Sequence, residues 1–263
     1  MISTEHKKYL KKRKKEFFII LFLQIFLFLF FLFLWQFLAD KHIINTFISS
    51  SPKDMLKTFI SLWKINDLWG HIGITIYETL LSLCLGTIIG VIIASIFWWF
   101  PILAKIMEPY LTIINSLPKV ALGPILIIWI GANQKSIIVM ALLISVILTI
   151  INVHEGFKSV DKNKLDLLIS LKATKFQQYI YLMFPHNLRV LASVLKINIS
   201  MSLIGVIMGE FLVSKKGIGY LIMYGSQVFN LDLVMTGIFI LCIVATLLYV
   251  VMDYLTKRFV HYE

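Results

Sequence analysis

Asp161-Lys162-Asn163-Lys164-Leu165-Asp166-Leu167-Leu168-Ile169-Ser170-Leu171, followed by Thr174-Lys175-Phe176-Gln177 and Pro185, is a polar, helix-forming insert between hydrophobic runs. Its neighbours, Ile137 to Ile151 and Leu188 to Leu212, are apolar enough to cross a bilayer. Apolar side chains recur at helical spacing in the first part, which predicts one helix over 161–171. Thr174 to Gln177 has the form of a capping box and predicts the start of a second. Pro185 is expected to end that second helix, because it lacks an N–H and clashes with the preceding turn. Two short amphipathic helices in a basic loop offer a surface to dock against.

Working outward, the composition agrees with a membrane setting. The chain is 59% hydrophobic and only 15% charged, with a mean hydropathy of +0.87. A soluble domain needs more polar surface than this. The net charge of +11 does not point to nucleic acid, since the cations lie between apolar runs rather than on one basic face. Cys84 and Cys242 both fall in predicted spans and are expected to be small buried hydrophobes, with no disulfide or metal framework.

Six spans are expected, at roughly 17–38, 73–98, 106–130, 136–154, 191–213 and 233–255. The densely basic stretch Lys7 to Lys15 before Phe17 to Leu38 resembles a signal peptide. The apolar run is too long for one, no small-residue cleavage site follows, and about 20 apolar residues suffice to span a bilayer. It is read as a retained first helix behind a basic tail at 1–16. Residues 39–72 form an amphipathic segment suited to an interface. Residues 73–255 form the core, including the insert at 156–190, and 256–263 a short tail. Pro118, Gly123 and Pro124 interrupt the third span, which should be kinked or broken where protein or water satisfies the freed carbonyls. Gly86 and Gly90 form a Gly-x-x-x-Gly pair that suggests close helix packing.

Charge counting sets the orientation. With the N-terminus cytoplasmic, sixteen Lys and Arg fall on that side and seven on the other, leaving Lys119 and Lys196 inside spans. The bias favours cytoplasmic N- and C-termini and a cytoplasmic insert.

The stretch Ser116-Leu117-Pro118-Lys119-Val120-Ala121-Leu122-Gly123-Pro124, followed by Ile128-Trp129-Ile130-Gly131, resembles the third-span signature of ATP-binding-cassette importer permeases of the nitrate/sulfonate/taurine type. Their cytoplasmic loop carries Glu-Ala-Ala, three residues, Gly, nine residues, Ile, one residue and Leu-Pro. Here those positions read Asp166-Leu167-Leu168, Lys172, Leu182, Phe184 and Pro185. Gly209-Glu210 and Lys216-Gly217-Ile218-Gly219-Tyr220 match as well, and the resemblance runs from about residue 70 to the C-terminus. Two departures matter. Asp166 keeps the charge of Glu on a shorter reach. Lys172 replaces a turn glycine, and a left-handed conformation there would cost roughly 1–2 kcal/mol.

The resemblance implies an all-α permease of about six transmembrane helices in a bacterial plasma membrane, surrounded by lipid. It further implies a homodimer with the path at the dimer interface, two ATPase subunits and an extracytoplasmic solute-binding protein. The transported species would be a small anionic or aromatic organic solute. No cofactor is expected on this chain. ATP and Mg would sit on the partner ATPase, and no phosphate-cradling Gly-x-x-x-x-Gly-Lys-Ser/Thr loop occurs in this sequence. Leu165, Leu168, Ile169, Phe176 and Tyr179 are then candidate anchors in an ATPase groove, with Asp166 and Lys172 tuning orientation and Pro185 closing the motif. The loop could instead lie on anionic lipid. Ser116, Pro118, Lys119, Pro124 and Glu210 are candidates for translocation or gating. Lys119 could draw an anion inward, snorkel, or bond freed carbonyls. Glu210 could bias gating or pair with a cation such as Lys196.

Other classes find less support. The six histidines show no paired metal spacing, and no nucleophile elbow or dinucleotide fingerprint is present, so the chain is expected to be a transport subunit rather than an enzyme. An ion-driven secondary carrier predicts paired intramembrane acids, whereas Glu210 stands out as a single strong one. Orientation can be checked by thiol labelling. Cysteines placed at Asn163 and Lys175 should resist a membrane-impermeant reagent in intact cells and react after permeabilisation. Equal labelling in intact cells would reverse the topology.

Overall fold

The computed structural model describes residues 4–65 and 67–259. In chain order these form α1 (Thr4–Asp40), α2 (Thr46–Ser49), α3 (Pro52–Ile65), α4 (Leu68–Trp99), α5 (Pro101–Ser116), α6 (Gly123–Ile130), α7 (Gln134–Lys158), α8 (Lys162–Ser170), α9 (Lys175–Gln178), α10 (Phe184–Val213), α11 (Ile218–Gln227) and α12 (Leu231–Phe259). No strand occurs among the described residues. Five helical stretches are long and apolar enough to span a membrane, and the bent pair α5 and α6 makes up to six. The chain is an all-α, multi-pass membrane protein.

The pair bends by 88° at the prolines that foretold a break. Leu117 and Pro118 are extended, a 3-10 turn covers Lys119–Leu122, and Pro124 sits in the first turn of α6. A proline in that position has no hydrogen bond to lose. α1 stands apart, with its apolar faces outward. It meets α3, where Gln36 Oε1 accepts the Lys53 N–H at 3.0 Å. α3 is amphipathic and lies between α1 and α12.

The core is the packing of α4 and α10 on either side of α7. Glycine brings their backbones together. A Cβ at Gly90 would lie 2.4 Å from Thr149 Cβ, and one at Gly86 would lie 2.2 Å from Ser145 Oγ. On the other side, a Cβ at Gly205 would meet Ala141 Cα at 2.5 Å. The Gly-x-x-x-Gly pair thus packs within the chain, against α7.

Buried polar side chains line this seam. Asn198 donates to Thr149 Oγ1 at 2.6 Å, Thr149 to the Ser145 carbonyl at 2.8 Å, and Asn187 to the Val153 carbonyl at 3.1 Å. Such bonds hold helices together where lipid tails give no hydrophobic drive.

Several expectations are corrected. Pro185 does not end a helix: α9 runs into α10 as one continuous helical stretch from Lys175 to Val213. A π-helical segment, Tyr179–Met183, precedes the proline, and the Phe184 N–H reaches back to the Tyr179 carbonyl. The wider turn absorbs the missing donor that would break a regular α-helix. Cys84 and Cys242 are exposed on outward faces of α4 and α12 rather than buried. Lys196 pairs with Asp253 across α10 and α12 at 2.6 Å, not with Glu210.

The glycine contacts generate a paired prediction. Gly205→Ala should lower the thermal unfolding midpoint of the purified protein, by about 1–3 kcal/mol of overpacking, because the obstacle is backbone. Gly73→Ala, with nothing within 4 Å of the added Cβ, should be neutral or stabilising by about 0.5–1 kcal/mol. Equal effects at both positions would contradict the packing.

Candidate functional site: the polar insert and the clamp beneath it

The insert leaves α7 at Lys158 and is shaped by its own caps. Asp161 accepts the Asn163 N–H at 2.9 Å and opens α8. At the other end, Lys172 is left-handed with φ 57. The Lys172 N–H bonds the Ile169 carbonyl and the Ala173 N–H bonds the Leu168 carbonyl, each at 2.9 Å. This 5→2 and 6→1 pair is a Schellman closure, which normally takes glycine. The turn therefore keeps the geometry a glycine would give, with Lys172 bearing roughly 1–2 kcal/mol of strain. Thr174 and Gln177 then form the reciprocal capping box that opens α9.

Beneath the caps, an aromatic cluster fastens the insert to the spans. Tyr179 packs on Trp98 at 5.3 Å, Phe157 at 6.0 Å and Phe184 at 6.1 Å between ring centres. Its hydroxyl lies 2.7 Å from Ser95 Oγ. Lys175 Nζ sits 5.5 Å from the Trp98 ring centre and 5.7 Å from that of Trp99, and donates to the Trp99 carbonyl. That carbonyl ends α4, where a cation also complements the helix dipole. Aromatic pairs contribute about 0.5–1.5 kcal/mol each beyond their burial. The insert is thus fixed to α4, α7 and α10 together.

The candidate anchors separate into two faces. Leu165 and Tyr179 turn inward, packing against the cluster of Ala94, Val153, Phe157, Val160 and Met183. Both are partly buried, less open than Ile169 and Phe176. Leu168 is half-buried. Ile169 and Phe176 face outward, at 53% and 60% exposure. Asp166 and Pro185 are exposed too. Sequence reasoning missed Leu167, Leu171 and Tyr181, which join Ile169 and Phe176 in presenting exposed apolar surface on the insert.

Elsewhere, Lys119 Nζ donates to the Asn115 carbonyl at 2.9 Å and to its side chain at 3.3 Å. The bond to the carbonyl satisfies a group freed where α5 ends. Ser116 turns back to the Ile113 carbonyl at 2.8 Å, and Ser116, Pro118 and Pro124 are exposed at the break. Glu210 is buried at the opposite end of the bundle from the insert. Its carboxylate accepts from Thr75 Oγ1 at 2.7 Å and from the Gly219 N–H at 2.6 Å. Sequence reasoning missed Glu78, equally buried on α4, one turn from the Thr75 that bonds Glu210. Two intramembrane acids are therefore adjacent, and counting acids does not separate the carrier classes.

Comparison with known proteins gives the family. Residues 86–261, about two thirds of the chain, match the family model of the binding-protein-dependent transport system inner membrane component. The chain belongs to this family and is a membrane transport component. It is 28% identical to a "Probable ABC transporter permease protein" of Haemophilus influenzae, over 87% of this chain and 93% of that one. It is 25% identical to the formylaminopyrimidine transport permease protein ThiX of Halalkalibacterium halodurans, over 73% and 76%. Identity to the taurine transport system permease protein TauC of Escherichia coli is 21%, over 85% and 83%. The fold is also that of a chain in the inward-facing MetNI methionine ABC transporter, with a TM-score of 0.65, 17% identity and coverage of 74% and 98%.

The clamp predicts a graded response. Tyr179→Phe removes only the hydroxyl contact to Ser95 and should cost about 1 kcal/mol. Tyr179→Ala empties the aromatic cluster and should cost about 3 kcal/mol. Limited proteolysis of the purified chain should then cut the insert fastest in the alanine variant. Equal cleavage of all three proteins would show that the clamp does not hold the insert.

Proposed function

We propose that this chain is the permease subunit of an ATP-driven importer, and that the insert is where a separate ATPase docks. The observation that carries the reading is the set of exposed apolar side chains Leu167, Ile169, Leu171, Phe176 and Tyr181 in an otherwise polar segment. Several large apolar side chains exposed together in a polar segment mark a candidate interaction site. Apolar helical side chains seated in a partner's groove are a common docking mode. Movement of the ATPase would pass through Tyr179 and Lys175 into α4, α7 and α10 at once.

In this reading two copies of the chain enclose the path. The break at Pro118 and Pro124 contributes to it, and Ser116 and Lys119 stand near the passing solute. The insert and both termini face the cytoplasm of a bacterial plasma membrane, as the sixteen-to-seven charge bias suggests. ATP and Mg bind the two ATPase subunits, whose closure reorients the spans outward. An extracytoplasmic binding protein then releases its ligand, and hydrolysis resets the inward state. The solute is a small anionic or aromatic organic molecule, a class supported by the named cargo of the taurine and formylaminopyrimidine relatives.

Docking can be tested at the outward anchors. Replacing Ile169 and Phe176 together with Asp puts carboxylates against an apolar groove. Burying an unpaired polar group costs roughly 1–3 kcal/mol, and an ionised one more. ATPase association should weaken at least about tenfold, with normal abundance of the permease in the membrane. Co-purification of the ATPase and uptake should fall together. Full association in the double variant, with loss of binding to anionic vesicles instead, would make the insert a lipid-contacting surface.

A further inference from the structure

The end of the bundle away from the insert holds a second built polar site. Glu78 and Glu210 are each 1% exposed, and Thr75, which donates to Glu210 Oε1 at 2.7 Å, lies one turn before Glu78 on the same face of α4. Among the described residues no ion pair reaches either. The Gln134 side chain, at the start of α7, approaches Glu78, while Glu78 Oε2 has no hydrogen-bond partner.

Around Glu210 the turn between α10 and α11 is wrapped with unusual closeness. A Cβ at Gly217, where φ is 120, would lie 2.3 Å from Glu210 Cδ. One at Gly219 would lie 2.8 Å from Glu210 Cβ. Three successive backbone N–H groups end on side chains of α4 and α10. Gly217 donates to His71 Nδ1 at 3.0 Å, Ile218 to Thr75 Oγ1 at 2.9 Å and Gly219 to Glu210 Oε2 at 2.6 Å. The same Thr75 hydroxyl donates to Glu210 Oε1, so one chain of bonds fixes the turn.

An ionised carboxylate only accepts hydrogen bonds. Two of them buried side by side without a cation repel strongly in a medium that screens little. A single proton between them converts the repulsion into a hydrogen bond, as in other paired carboxyls. We propose that Glu78 and Glu210 form one proton-sharing carboxyl pair, and that Glu78 acts through Glu210 as the positioning residue that holds the α10–α11 turn against α4. The clamp at Trp98 and the pair at Glu78 lie twenty residues apart on α4, about 30 Å along a helix. Glu78 thereby sets the far end of the same rod that the insert grips.

The test uses the full chain in lipid nanodiscs, with two readouts. Infrared absorption at neutral pH should contain a protonated-carboxyl carbonyl band that is lost in both Glu78→Gln and Glu210→Gln. Hydrogen exchange of the 217–221 backbone should stay within about twofold of the native protein in Glu78→Gln, because the amide keeps a donor facing Glu210. In Glu78→Ala it should accelerate at least about tenfold, since the buried acceptor then lacks a partner. A merely space-filling role for Glu78 would leave the infrared band in Glu78→Gln. Absence of the band from the native protein, its survival in either Gln variant, or equal exchange in Glu78→Gln and Glu78→Ala would overturn the assignment. The two Gln variants keep the side-chain volume, so the infrared result stands even if Glu78→Ala does not fold.

Discussion

The near-contact of three helix backbones is the constraint on which the rest of this structure depends. α4 approaches α7 at Gly86 and Gly90, and α10 approaches α7 at Gly205, where an added Cβ would strike another backbone. In lipid the apolar side chains of a helix gain little by meeting one another, so close van der Waals packing and interhelical hydrogen bonds must do the work. The small residues permit the approach, and the bonds from Asn198 to Thr149 and from Asn187 to the Val153 carbonyl hold α10 to α7. A unit packed this tightly does not deform smoothly.

Both ends of that unit carry built features. At one end, Tyr179, Trp98, Trp99 and Lys175 join the insert to α4. At the other, Thr75 and Glu210 fix the turn that leads into α11. The helices α1, α5 and α6 contribute less to this core and present much apolar surface outward. Lipid and a second copy of the chain are the proposed cover for that surface. The division matches the proposed task, in which a rigid body receives movement from a partner and the outer helices change their neighbours.

Much of this was legible in the sequence because its causes are local. The apolar runs declared the spans, Pro118 and Pro124 declared the break, and Thr174 with Gln177 declared the capping box. Other features depend on partners distant in sequence. Glu78 stands in an apolar run with nothing beside it to suggest Glu210, 132 residues later. Leu165 and Tyr179 share a helical pattern with their exposed neighbours, and only the packing of α4 and α7 decides that they turn inward. Pro185 misled for a different reason. A proline ends a regular helix, but a π turn ahead of it leaves the chain free to continue. The exposure of Cys84 and Cys242 reflects how little of a membrane helix needs to be buried when lipid is the solvent.

The claim that the insert is the docking element is tested most directly by a cross-link at its outward face. A cysteine at Ile169, in a chain from which Cys84 and Cys242 have been removed, should form a product with the ATPase through a short bifunctional thiol reagent in native membranes. The same cysteine placed at Val250, on an outward face of α12, should form none. A product with the ATPase at Ile169 alone is the predicted result. No product at Ile169, or an equal product at both positions, would contradict docking at the insert.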